Sequence, residues 1–149
     1  MRAVVQRVIS ASIKVDSKQI NKIDKGIVAF VGIGREDTDK DADYVASKIM
    51  GLRIFEDNDG KMNLSLKDFN GQVLIVSQFT LFGDCRKGKR PSFESAAGIE
   101  KAKALYEYLI EKCKQSNLVI GKGIFREKML IELVNDGPVT ILLDSKKVF

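Results

Sequence analysis

The strongest constraint on how this chain folds is an interruption near its end. Leu133-Val134-Asn135-Asp136-Gly137-Pro138-Val139-Thr140-Ile141-Leu142-Leu143 is two apolar, strand-like runs with Asn-Asp-Gly-Pro between them. Proline has no N–H to give to a β-ladder and restricts the residue before it, while glycine tolerates backbone angles closed to other residues. Two strands joined by a tight turn is the simplest reading, because these four residue types are the ordinary punctuation of loops. The sharper alternative is a fixed backbone surface at Gly137-Pro138, with carbonyls held in an unusual direction, through a cis bond if the peptide adopts one. Taken alone, the dipeptide favours the turn, and the rest of the chain has to shift that balance.

The 149 residues fit one domain, spanning 1–149, large enough to bury a core. With 44% apolar and 30% charged residues and no low-complexity tract, the composition is that of an ordinary soluble globular protein. Met1-Arg2-Ala3-Val4-Val5-Gln6-Arg7-Val8 carries early charge without the long apolar core of a signal peptide, and no apolar run approaches membrane-spanning length. The expectation is a cytoplasmic protein with no membrane partner. Cys85 and Cys113 are too few and too far apart for a zinc knuckle or a disulfide framework. The absence of histidine excludes Ser-His-Asp and Cys-His nucleophilic sites and imidazole metal centres, so any catalysis must use other groups. The net charge of +5 is spread over a chain that also holds 20 acidic residues. Its one concentration, Arg86-Lys87-Gly88-Lys89-Arg90, suits either phosphate binding or plain solubility.

In chain order, residues 2–9 and 11–15 read as strands, residues 20–23 as a short return, and residues 27–33 as a central strand. Gly32 and Gly34 begin a dinucleotide-type pattern that fails at Asp37. Thr38 and Asp41 open a helix in which Ala42, Val45, Ala46, Ile49 and Met50 recur at helical spacing, with Gly51 as its stop. Residues 52–55 suggest a short strand, and the acidic stretch after it lacks the ligand spacing of a calcium loop, so it reads as a hairpin-type turn. The strand at 72–76 ends in Ser77-Gln78-Phe79-Thr80-Leu81, polar groups at a strand terminus, where α/β sites gather but where plain capping is also common. Pro91-Ser92-Phe93 is expected to open a long helix with Ala102, Leu105, Tyr106, Leu109, Ile110 and Cys113 as its apolar stripe. Strands at 118–120, 129–134 and 139–143 follow. Strands, helix, strands, long helix and strands, without βαβ alternation, predict an α+β fold: a mainly antiparallel or mixed sheet curled toward a barrel, with two helices packed on it.

Read together, Ser77-Gln78-Phe79-Thr80-Leu81, Lys87-Gly88-Lys89-Arg90-Pro91-Ser92-Phe93 and Asn135-Asp136-Gly137-Pro138-Val139-Thr140 resemble the signature of the D-aminoacyl-tRNA deacylase family. Met1-Arg2-Ala3-Val4-Val5-Gln6-Arg7-Val8, Leu52-Arg53-Ile54-Phe55 and Gly60-Lys61-Met62-Asn63 extend the match nearly end to end. The resemblance implies the family's fold and a cytoplasmic homodimer that hydrolyses the ester between a D-amino acid and the terminal ribose of tRNA, and also discharges mischarged glycyl-tRNA. Aminoacyl-tRNA is the implied partner, with no DNA, no membrane, no metal and no cofactor. It further implies that Gly137-Pro138 is cis and reaches into the pocket of the other subunit, where its carbonyls screen chirality, with Arg7 bracing it. Gln78, Phe79 and Thr80 would line the ester pocket, Ser77 would sit beside the terminal adenosine, and Met129 in the neighbouring wall. Lys87, Lys89 and Arg90 are the candidates for contacts to tRNA phosphates.

One segment departs from the pattern. Where the family has Gly-x-Phe-Gly-Ala-x-Met, this chain has Gly123-Ile124-Phe125-Arg126-Glu127-Lys128-Met129, so a small pair has become Arg126-Glu127. The chemistry is compatible with a chain that lacks histidine, because an aminoacyl ester is already activated. Positioning a water and stabilising the oxyanion, with Phe79 and Thr80 N–H groups as candidate donors, then does much of the work. Thr80 as a covalent nucleophile is the competing version, and it lacks an evident base. A non-catalytic tRNA-binding module and a hydrolase of small esters are the readings from other classes. On sequence grounds Gly137→Ala is expected to harm activity or selectivity with little loss of stability.

Overall fold

The N-terminal run folds as one long strand, not two. In the computed structural model, which describes residues 1–148, β1 spans Arg2–Val15. Ala3, Val5, Ala11 and Ile13 are buried at alternating positions, the two-residue period of a strand with one face in the core. Strands β2 (Lys18–Ile23) and β3 (Gly26–Gly32) both pair antiparallel with β1, β2 with its C-terminal half and β3 with its N-terminal half. Strand β6 (Gln72–Ser77) runs parallel to β3, and β7 (Ile120–Lys122) runs parallel to β6. The sheet nearly closes on itself, because Asn21 on β2 donates through Nδ2 to the carbonyl of Lys122 on β7 at 2.7 Å. A separate hairpin pairs β4 (Phe55–Glu56) with β5 (Met62–Leu64), so the strand expected at 52–55 begins only at its last residue.

The two faces of the curled sheet bury different sets of residues. On β6, Val73 and Ile75 face helices α1 (Asp39–Gly51) and α3 (Ile99–Lys114), where they meet Val45, Ile49, Leu105, Leu109 and Ile110. Leu74 and Val76 face inward with Val8, Ile13, Ile23 and Val28. Burial on both faces explains why this strand is continuously apolar and not alternating. Each such Leu, Ile or Val contributes about 1.5–3 kcal/mol of transfer free energy. Tyr106 is anchored in the same layer by its hydroxyl, which donates to Ile75 O at 2.8 Å.

Helix α1 opens as expected, on a capping box between Thr38 and Asp41. The long helix does not. Residues 91–98 are irregular, since their backbone groups are already engaged: Ala97 N donates to Ile33 O at 2.9 Å, Arg35 N to Ser95 O at 2.9 Å, and Asp84 bridges Ser92. Helix α3 therefore starts at Ile99, and a one-turn helix, α2 (Leu66–Phe69), adds a third to the two expected.

The turn expected at Gly137-Pro138 is absent. Strand β8 runs unbroken from Leu130 to Asp144 beside β1. Pairing of Val8 with Asn135 and of Gln6 with Thr140 leaves residues 136–139 opposite Arg7 alone. The four residues bulge out of the ladder, and a proline without an N–H fits there because no ladder bond is asked of it.

Candidate active site

Strand β6 delivers the polar run to the end of the sheet. After Ser77 the chain folds into a 3-10 turn, Phe79–Phe82, pinned by Gln78 N donating to Val31 O at 2.7 Å. The turn's own bonds begin with Leu81 N to Gln78 O, so the Phe79 and Thr80 N–H groups precede the first of them. Gln78 Nε2 donates to Thr80 Oγ1. Phe79 is 59% exposed and packs edge-on against Phe93, with ring centroids 5.0 Å apart.

These residues form one wall of a cleft of about 870 Å³. Ser77, Gln78 and Phe79 meet Phe93, Phe125 and Met129 there, with Arg35, Arg126 and Glu127 also in the lining. Gly123 makes room for the far wall, since a Cβ on it would stand 2.7 Å from Met129 Sδ. The cleft thus combines an apolar interior with a few polar groups, the usual make-up of a small-molecule or nucleoside site. Among the described residues no group of three or more Cys, Asp or Glu side chains is placed to hold a metal ion.

The remaining expected site residues lie outside this lining. Thr80 is exposed and is not among the residues lining the cleft. Gly137 and Pro138 are exposed on the bulge of β8, and the peptide between them is cis. Beneath them Arg7 is only 5% exposed. Its Nη1 donates to Ile54 O at 2.6 Å, its Nε stands 3.1 Å from Asp136 Oδ2, and its Nη2 is 3.6 Å from Glu56 Oε1. Asn135 Nδ2 ties both sides of the bulge, donating to Arg7 O at 2.9 Å and Val139 O at 3.0 Å. Gly137 has φ of +114°, and a Cβ there would stand 2.8 Å from both Arg7 Nη2 and Val139 Cγ2. Gly137→Ala is therefore destabilising as well as local, contrary to the sequence-based expectation of little stability loss.

Lys87, Lys89 and Arg90 sit exposed on the loop closed by the Asp84–Ser92 bridge. Arg86 is different: its guanidinium hydrogen-bonds Asp84 at 2.6 Å, which holds the Asp84 carboxyl well below the usual range. The sequence reading missed Arg35 and the irregular stretch around Ala96 and Ala97 as parts of the cleft wall. The run of small residues Ala96-Ala97-Gly98 before the apolar stripe is the signal that could have found that wall.

Comparison with known proteins gives these features a family. Residues 4–144 match the sequence model of the family described as D-Tyr-tRNA(Tyr) deacylase. A D-aminoacyl-tRNA deacylase of Thermotoga petrophila is 58% identical over 149 residues, all of both chains. A solved structure of the c-Myc DNA Unwinding Element Binding Protein is 41% identical, superposes with a TM-score of 0.91, and covers 97% of this chain and 98% of its own. A probable eukaryotic D-amino acid tRNA deacylase, 16% identical, shares the fold with a TM-score of 0.82 over 95% of this chain and 97% of its own. With a family match across nearly its whole length and a majority of residues identical to a full-length relative, the chain belongs to the D-Tyr-tRNA(Tyr) deacylase family.

Proposed function

We propose that this chain hydrolyses the ester bond of D-aminoacyl-tRNA, and of glycyl-tRNA, to free amino acid and tRNA. The observation that carries this reading is full-length identity of 58% to a relative named D-aminoacyl-tRNA deacylase. The cleft at the end of β6 supports it. Its aromatic and methionine walls suit a terminal adenosine, with Ser77 beside the nucleoside and Gln78 and Phe79 at the ester.

Water attacks the ester carbonyl, and the N–H groups of Phe79 and Thr80 stabilise the oxyanion that forms. The ester carbon gains the water oxygen, the ribose oxygen leaves as a hydroxyl, and the water proton passes to it through the ribose 2′-hydroxyl or the substrate amine. Thr80 positions and does not attack, since its hydroxyl accepts from the Gln78 amide and among the described residues no carboxylate hydrogen-bonds it.

Chirality is screened by backbone. The bulge of Gly137 and Pro138 enters the cleft of a second copy, its carbonyls hold the α-amino group, and an L side chain clashes where hydrogen or a D side chain passes. Arg7 fixes the bulge from behind. A homodimer is favoured by β8 itself, a long edge strand that exposes Leu130, Val134 and Leu142. Such an edge is a liability in an unpartnered chain. Lys87, Lys89 and Arg90 contact tRNA phosphates, and the enzyme works in the cytoplasm without DNA, membrane or cofactor.

Incubating the purified protein with matched D-, L- and glycyl-tRNA and following ester loss tests this directly. D and glycyl esters should be lost quickly and L esters spared, with Thr80→Ala retaining measurable activity. Binding without ester loss would make the protein a tRNA-binding module instead. Equal activity on small esters lacking tRNA would make it a general esterase.

A further inference from the structure

Most arginines of this chain are committed to partners within it. Arg2 engages Asp144 and the Leu81 carbonyl, Arg7 engages Ile54 and Asp136, Arg53 engages Asn63, and Arg86 engages Asp84. Among the described residues, Arg35, Arg90 and Arg126 have no hydrogen bond or ion pair from the side chain. Arg90 belongs to the basic loop. The other two, Arg35 after β3 and Arg126 between β7 and β8, line the same cleft.

Arg126 also occupies a backbone position that suits arginine poorly. Glu127 N donates to Ile124 O at 3.3 Å, closing a four-residue turn in which Arg126 is third, with φ of +68°. A positive φ at the third residue is the requirement of a type II turn, and glycine is the residue that meets it without strain. This is also the residue where the chain departs from the small Gly-Ala pair of the family pattern. A long cation therefore stands on strained backbone, in the wall of the cleft, with nothing to hold among the described residues. Glu127, the one acid in the lining, does not pair with it.

We propose that Arg126 and Arg35 bind the internucleotide phosphates of the single-stranded RNA 3′ end whose last nucleoside enters the cleft. The proposal rests on the reading that this cleft receives the aminoacylated end of tRNA. The guanidinium group offers paired donors in the planar spacing that phosphate oxygens accept, and it stays charged at any working pH. The two arginines give the lining a net positive balance over Glu127, while its aromatic walls take the uncharged nucleoside. Arg126 would thus add affinity for the RNA strand that a chain with a small residue here does not have.

The test compares two non-hydrolysable probes by titration over a range of salt. One is 3′-(D-alanylamino)-3′-deoxyadenosine, which carries no phosphate. The other is a short single-stranded RNA ending in that same nucleoside. Arg126→Gly, which relieves the positive φ and so keeps the fold, and Arg35→Gln should each bind the RNA probe about fivefold more weakly. The slope of log affinity against log salt should become shallower by about 0.7 per arginine removed. The nucleoside probe should lose no more than about a tenth of that effect on a logarithmic scale. An unchanged salt slope, or equal losses on both probes, would overturn the phosphate assignment. Wild-type protein that binds the nucleoside but gains nothing from the RNA strand would overturn it too, leaving the cleft reading intact. Wild-type protein that binds neither probe would overturn the cleft reading and this inference with it.

Discussion

The cleft and the bulge differ in what holds them. The cleft is walled by side chains with room to yield: Phe79 is mostly exposed, Met129 is an unbranched thioether of the adaptable kind, and among the described residues the Phe93 ring packs against no ring but that of Phe79. The bulge presents backbone, and behind that backbone a buried guanidinium is fixed by a carbonyl and two carboxylates. Under the proposed function, a site that accepts many amino acids yet refuses one configuration draws on both properties. In that proposal the soft wall accommodates the side chain and the stiff bulge refuses the L configuration.

The largest effect is expected at the brace. Arg7→Ala removes a charge-assisted bond to Ile54 O and leaves a void under Gly137, and should destabilise by about 2–4 kcal/mol in denaturant unfolding. If the bulge screens chirality, the surviving folded fraction should lose discrimination between D- and L-aminoacyl esters. A variant that loses stability while keeping its selectivity would break the contrast, because the bulge would then need no brace.

The soft wall should behave in the opposite way. Phe93→Ala is expected to change stability by under about 1 kcal/mol, because its ring contact is half-exposed, yet to slow deacylation at least tenfold by widening the cleft. Rates measured beside melting curves would separate the two. Loss of stability matching the loss of rate would place Phe93 with the scaffold.

These contrasts were unevenly legible in the sequence. The α+β class followed from the order of apolar periods, and the capping box at Thr38 and Asp41 followed from residue type alone. The start of the long helix did not, because Pro91-Ser92-Phe93 is a good local opening and only the non-local bonds of residues 95–97 to residues 33–35 override it. The strand through Gly137-Pro138 was hidden for a related reason. Local turn chemistry points to a reversal, whereas β1 supplies a continuous partner on both sides of the interruption. Ser77, Gln78, Phe79 and Met129 could be proposed as neighbours from motifs. Arg35 could not, since nothing local marks a loop arginine as part of a wall built from distant strands.

Away from both regions, the frame should respond to acid in a defined direction. Burial alone would raise the Asp41 carboxyl, but bonds from Lys146, Ser145 and Thr38 outweigh it and hold the group well below the ordinary carboxylate range. A depressed folded value contributes stability above the unfolded value near 4 and loses it as pH falls through that range toward the folded value. Asp41→Asn should therefore flatten the fall in melting temperature below about pH 4. The smallest effect is chemical: burial pushes the Cys113 thiol up to about 12, so a thiol reagent at neutral pH should label Cys85 and spare Cys113 until the protein unfolds.

The proposed pairing of soft wall and stiff bulge across two subunits is tested most directly by mixing two crippled proteins. One carries Phe93→Ala and Phe79→Ala in the cleft, and the other carries Arg7→Ala beneath the bulge. If each site combines the cleft of one subunit with the bulge of its partner, every mixed dimer regains one intact site. After subunit exchange at equal amounts, the mixed dimers should contribute selective D-aminoacyl-tRNA hydrolysis at about a quarter of the wild-type rate, raising the D-over-L ratio above that of the Arg7→Ala protein alone. A mixture no more active or selective than the average of its two components would contradict a shared site.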